Sequence, residues 1–199
     1  MITALVTGPA REPLTYTQVC EHLRIQTVDE DLDPSSIEYI DRLIVATRTH
    51  LEHSYLNRAL ITQTWKVYYD EFPSENYINI PFPPLQTVTH IKYTDCDGTQ
   101  TTMTLTTDYL VDATSTPGRL VLPYNESWPS VTLYPKNPIE IQYVCGYGAT
   151  GESVPAEIRH AMLLMIADMY ENREDLVERA MSNNRTLDRL LFNYRVWKF

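Results

Sequence analysis

The feature that most restricts this chain is a change of hydrophobic period, made twice. Up to about Leu60, and again from Pro155 onward, apolar residues recur at helical spacing. Between Leu60 and Gly148 they come in short β-rich runs broken by Pro, Gly and Asp. A run patterned for a strand does not sit as a helix, so the middle must pair with itself while the two ends pair as helices.

At the first end, "PLTYTQVCEHLRI" places Thr15 three residues before Gln18, a capping box, with Val19 and Leu23 following at helical spacing. In "DPSSIEYIDRLIVATRTHLEHSYLN", Asp33 can cap and Pro34 can take the first helical position. Ile37, Ile40, Ile44, Leu51 and Tyr55 then trace one face. At the other end, "PAEIRHAMLLMIADMYENRED" starts on Pro155 and sets Ile158, Met162, Met165 and Met169 on one side. A methionine stripe of this kind is read as core packing. "LVERAMSNNRTLDRLLFNYRV" predicts a further helix weakened at Asn183-Asn184.

The middle offers "TQTWKVYYDEF", "YINIP", "VTHIKYTD", "TQTTMTLT", "DYLVDA", "RLVLP" and "IEIQYVCGY" as strands. Period two is clearest in the last, where Ile139, Ile141, Tyr143 and Cys145 share a face. Asp97-Gly98 reads as a type I′ hairpin turn, which needs positive φ at both central residues. The expected fold is α+β: a small helical bundle formed by both termini, with an inserted antiparallel β-sheet or small barrel subdomain. Its expected parts are a flexible amino-terminal arm (1–13), a helical domain (14–60 and 152–194), the β insert (61–151) and a carboxy-terminal tail (195–199).

The formal charge is −10, yet from residue 185 onward Arg185, Arg189, Arg195 and Lys198 face Asp188 alone, giving +3 there and −13 elsewhere. An acidic body disfavours gripping DNA as a ligand, while leaving DNA free to pass nearby. Fourteen Tyr against four Phe suit half-wet contact surfaces or Tyr-rich strands. Cys20, Cys96 and Cys145 are odd in number and widely spaced, which fits neither a disulfide framework nor a CxxC-type zinc site. No apolar run approaches the roughly 18 residues of a membrane span. The amino terminus lacks a basic region followed by an apolar stretch, so a soluble protein of a reducing cytoplasm is expected, with both Asn-x-Ser/Thr sequons as chance matches.

Catalytic motifs are scarce. "GYGATG" at 146–151 is a literal GxGxxG after a strand, but the helix begins only at Pro155 and no second strand with an acidic end follows. A loop leaving the sheet is the better account; a dinucleotide-binding enzyme using Gly146 to Gly151 is the alternative from a different class. "HLEH" at 50–53 and "EIRH" at 157–160 lack the further ligands that zinc or di-iron would need and read as solvated helix faces. Asp95 and Asp97 lack the spacing of an EF-hand and fit the turn. No catalytic residue, metal or cofactor is expected, and no enzyme.

The order of the segments resembles the head–tail connector (head-completion or adaptor) proteins of long-tailed bacteriophages, specifically the longer members with a β insert. The residues that carry it are "EHLRI" at 21–25, "IEYIDRLIVATRTHLEHSYLNRAL" running into "ITQTWKVYYDEFP", then "INIPFPPLQTVTHIKYTDCDG", "DYLVD", "GRLVLP" with "SWP", "IEIQYVCGYG", "VPAEIRHAMLLMIADMYENRE" and "LLFNYRV". They span nearly the whole chain from about residue 14.

The resemblance implies a structural subunit. Copies would close into a homo-oligomeric ring matching the portal symmetry, assembled on the portal vertex, extending the DNA channel and presenting a platform for the next neck or tail connector protein. DNA would pass the lumen without specific binding, and the protein would be found at the virion neck after synthesis in the host cytoplasm. It also implies that the carboxy-terminal segment docks on the portal or a neighbouring subunit, with Arg189, Phe192, Tyr194, Arg195, Trp197, Lys198 and Phe199 as candidates. Leu187, Leu190, Leu191 and Tyr194, at helical spacing, are expected to belong to the last core helix. Another phage neck or tail-completion ring protein is the alternative of the same class.

Overall fold

A computed structural model describes residues 1–25, 34–172 and 185–197. The fold is α+β and divides into two compact units, Met1–Pro9 with Thr62–Tyr147, and Ala10–Ile61 with Gly148–Phe199.

The first unit is built on an antiparallel sheet in the order β1 (Ile2–Thr7), β2 (Gln63–Tyr69), β8 (Ile139–Cys145), β4 (Leu85–Thr94), β5 (Gln100–Thr102). A second sheet orders β3 (Tyr77–Asn79), β7 (Arg119–Val121) and β6 (Leu110–Asp112). β8 is central and pairs on both sides, setting Val67 and Ile91 opposite Ile141 and Trp65 opposite Tyr143. Its alternate residues Ile139, Ile141, Tyr143 and Cys145 are buried, as period two predicts.

Polar partners link three strands through the half-buried alternate positions. Lys66 Nζ and His90 Nε2 both reach Glu140 Oε1, at 3.0 and 2.9 Å. Burial pushes the Glu140 carboxyl up, but hydrogen bonds from His90, Lys66 and Tyr68 outweigh it and hold it below its ordinary value. Such a group contributes stability above its unfolded pKa, about 4.3, and loses it as pH falls through the lowered folded value. Glu140→Gln is therefore expected to melt below the wild type near pH 7, the two curves drawing together as pH falls through the lowered folded value; curves that stay parallel as the carboxylate is protonated would rule it out.

Two expectations are corrected here. Residues 1–13 are not a flexible arm: Ile2–Thr7 pairs antiparallel with β2, Leu5 opposite Trp65 and Thr3 opposite Val67, with a bulge between Leu5 and Thr7. Paired backbone amides and carbonyls hold this segment although most of its side chains are exposed. The β4–β5 turn is not type I′. Gly98 N–H donates to the Asp95 carbonyl, and among Cys96, Asp97 and Gly98 only Gly98 has positive φ, at 84°. The tight turn thus centres on Cys96-Asp97 with Gly98 as the left-handed residue of a bulge. The Asp95 carboxylate fastens it by accepting from the Asp97 and Thr99 amides.

The second unit holds α1 (Tyr16–Leu23), α2 (Pro34–His50), α3 (Ala156–Glu171) and α4 (Arg185–Leu191). The capping box is present: Thr15 Oγ1 accepts from the Gln18 amide and Gln18 Oε1 from the Thr15 amide. α2 runs into a π-helical turn, Leu51–Tyr55. Val19, Ile40, Ile44, Leu51, Ile158, Met162, Ile166 and Leu191 are buried, whereas Met165 and Met169 are only half-buried. The expected cap Asp33 and the weak point Asn183-Asn184 lie outside the described residues.

Gly151 shows how closely this unit is packed. A Cβ placed there would lie 2.2 Å from the Pro13 carbonyl oxygen, and backbone cannot turn aside as a side chain can. Gly151→Ala is expected to destabilise the protein by about 3 kcal/mol, read from denaturant unfolding; an unchanged midpoint would mean that the 13–14 segment yields freely.

Candidate functional site

The candidate partner-binding residues fall on the last described stretch of the chain. α4 carries Asp188, Arg189 and Leu191, and a 3₁₀ turn, Phe192–Tyr194, redirects the chain. Of the four residues expected in the last core helix only Leu191 is buried and anchors the stretch; Leu187 and Leu190 are half-buried, and the helix ends at Leu191, before Tyr194.

Beyond it the backbone is tied down. The Val196 amide donates to the Leu56 carbonyl at 2.9 Å. Asn57 Nδ2 donates to the Val196 carbonyl at 2.9 Å, and Arg58 Nε to the Tyr194 carbonyl at 3.0 Å. Asn57 has φ of 52°, a left-handed conformation Asn tolerates well, and this turns the chain so that three successive residues face the tail.

Side chains add to the fastening. Tyr194 Oη donates to Glu157 Oε2 at 3.1 Å. Tyr55 Oη donates to the Asp188 carboxylate. Burial and then Asp188 push the Tyr55 hydroxyl up, against an opposing pull from Arg195. The Arg195 guanidinium lies over the Trp197 ring at 4.3 Å and over Tyr55 at 5.3 Å, a cation stacked on two π faces.

What the tail leaves outward is Phe192 at 69% exposure and Trp197 at 57%, with Arg189 and Arg195 also exposed. The seven candidates therefore divide. Tyr194 is spent on internal bonds, Phe192, Trp197, Arg189 and Arg195 are each exposed, and Lys198 and Phe199 lie outside the described residues.

The residues that sequence reasoning missed are those that hold this stretch: Tyr55, Asn57, Arg58 and, beneath them, Glu52. "HLEH" is a solvated face only for His50 and His53, which are exposed; Glu52 is buried. Its Oε1 accepts from the Leu60 amide at 2.8 Å and its Oε2 from Arg48 Nη1 at 2.8 Å. Arg48 also grips Glu12 through Nε and Nη2 at 2.7 and 3.2 Å. Burial pulls the Arg48 guanidinium down, but Glu12 and Glu52 outweigh it and leave it raised. This ion cluster fixes the 56–60 bend on which the tail is laid.

The chemical motifs are absorbed locally. Gly146 adopts φ of 117° and its amide donates to the Pro84 carbonyl. A Cβ at Gly148 would strike Ser153, and Gly151 abuts Pro13, so close packing within the chain accounts for the glycines of "GYGATG". Glu157 accepts from Tyr194, and His160 meets His22 edge to face at 6.2 Å. Among the described residues no group of three His, Cys, Asp or Glu could hold a metal ion, and no helix is long and apolar enough to cross a membrane.

No family model and no curated protein matches the sequence. Solved structures do. A chain from the neck of an empty gene transfer agent particle, computed with C6 symmetry, has a TM-score of 0.76 at 21% identity, covering 100% of this chain and 97% of that one. A chain from the virion of a native gene transfer agent particle reaches 0.74 at 20%, and one from the neck of a native particle computed with C12 symmetry 0.69 at 20%, both with the same coverage. The likeness runs over the full length and fixes a shared fold.

Proposed function

We propose that the chain is a structural subunit of the neck of a phage-like particle, a head–tail connector whose copies close into a ring on the portal vertex, extend the DNA channel and carry the next neck or tail protein. The observation that carries this reading is the full-length fold likeness to chains of gene transfer agent necks computed with C6 and C12 symmetry. The order of sequence motifs points the same way independently. A charge of −10, with the basic residues of the tail set apart, suits a channel wall along which phosphates slide without sticking.

The portal-facing residues in this reading are Arg189, Phe192, Arg195 and Trp197, with Lys198 and Phe199 as further candidates from the sequence. Exposed aromatics beside Arg are the residue types that dominate binding hot spots. The test is mass measurement and electron microscopy of the purified protein, alone and mixed with portal protein. A closed ring seated end-on on the portal is expected. A protein that neither closes into a ring nor binds portal would sink the reading, and a ring that binds a tail component instead would favour the tail-completion alternative.

A further inference from the structure

We propose that the two outer strands of the five-stranded sheet are mating edges, β1 (Ile2–Thr7) of one copy pairing with β5 (Gln100–Thr102) of the next, so that the sheet continues from subunit to subunit. This rests on the ring reading above. The sheet is open, and each outer strand has a paired neighbour on one side only. An unpaired edge presents a row of amides and carbonyls, and soluble proteins ordinarily blunt it with charges or Pro. β1 has neither: residues 1–8 contain no charged side chain and no Pro, and its sole irregularity is the bulge between Leu5 and Thr7.

The side chains agree. Ile2, Leu5 and Val6 are each about half exposed, at 52, 51 and 49%. Leu5 lies opposite Trp65 and Ile2 opposite Tyr68, so apolar surface is left on both faces of the strand. β5 is fully exposed and uncharged, and it lies in a run from Thr99 to Thr107 without a charge. In a chain of net −10, neither of these two strands carries a charged side chain of its own.

Cyclic symmetry selects the occupant. A ring contact is heterologous, joining two different patches of the same subunit, and this sheet offers one at each end. All four pairings in the sheet are antiparallel, so β1 and β5 run in the same direction. Copies related by rotation about an axis near the strand direction would therefore join them as a parallel pair.

Two experiments test the pairing. The first replaces Ile2 and Val6 together by Lys, at positions exposed enough for the fold to tolerate the change. The variant is expected to melt like the wild type while its ring assembly, with portal supplied if portal is needed, requires at least tenfold higher concentration. The second, in a Cys96→Ser background, places Cys at Thr3, Ala4 or Leu5 together with Cys at Thr101. Oxidation is expected to give a ladder of covalent multimers for at least one pair and none for any single Cys. Rings that assemble equally well in the Lys variant, with no ladder from any pair, overturn the inference and leave the ring standing. Dimers from a single Cys on β1 overturn it in favour of a two-fold β1–β1 contact, and cross-links to another protein overturn it in favour of a different occupant. Wild-type chains that form no ring with or without portal overturn the ring reading and this inference together.

Discussion

Glu52→Ala is expected to destabilise the helical unit by about 3 kcal/mol, among the largest effects of any single polar substitution in the chain. Removing one partner of a buried ion pair typically costs about 3–5 kcal/mol because the other charge stays buried and uncompensated. Here the lower end applies, since Arg48 keeps its two bonds to Glu12. The Leu60 amide, whose bond to Glu52 is buried, would lose that partner. Glu52→Gln keeps a carbonyl for that amide and should cost about half as much. Arg48→Met should cost about as much as Glu52→Ala, because it removes the Nη1 bond from the buried Glu52 carboxylate. The chain has two compact units, so a local probe complements the global unfolding curve. Hydrogen exchange of peptides covering 48–60 reports the unit directly, and a loss of protection under about 1 kcal/mol there would show that the cluster is solvated in solution. Glu52 also holds the bend to which residues 194–196 are tied, so exchange should rise in that segment as well.

The fold was legible where its signals were local. Thr15 with Gln18, the face Ile37, Ile40, Ile44, and the alternation of Ile139, Ile141, Tyr143 and Cys145 each lie within one element, and each element formed as its pattern predicts. What was not legible depended on distant partners. Ile2–Thr7 reads as an arm because its pairing strand lies some sixty residues on, and because an outer strand with exposed side chains has no buried face to impose a period. Glu52 looks like any charged residue between two exposed histidines until Leu60 and Arg48 close on it. The turn at Asp95 was misplaced by one residue because Asp-Gly satisfies two turn types, and only the backbone tells a I′ pair from a bulge glycine. The course of the tail was not legible either: the bonds that hold 194–196 come from Leu56, Asn57 and Arg58, about 140 residues earlier, and no local pattern signals them.

Phe192→Ala with Trp197→Ala is expected to weaken binding of the neck partner by roughly 100- to 1,000-fold, at about 2 kcal/mol for each aromatic anchor and tenfold for each 1.4 kcal/mol. The same change should leave thermal stability within about 0.5 kcal/mol, because both rings are largely in solvent and the backbone bonds of Val196 do not depend on them. That separation makes the pair more telling than a truncation. Deleting 186–199 would remove the buried Leu191 and the Tyr194–Glu157 bond, and any loss of binding would be mixed with loss of fold. Arg195→Ala is a mixed case too, since its guanidinium covers Tyr55 as well as Trp197 and would alter the monomer along with the contact surface. Isothermal titration of the double variant against portal protein decides it. Full affinity would show that these rings are bystanders and that the docking surface lies elsewhere, the exposed Tyr124, Val131 and Tyr134 of the other unit being the next apolar side chains to test.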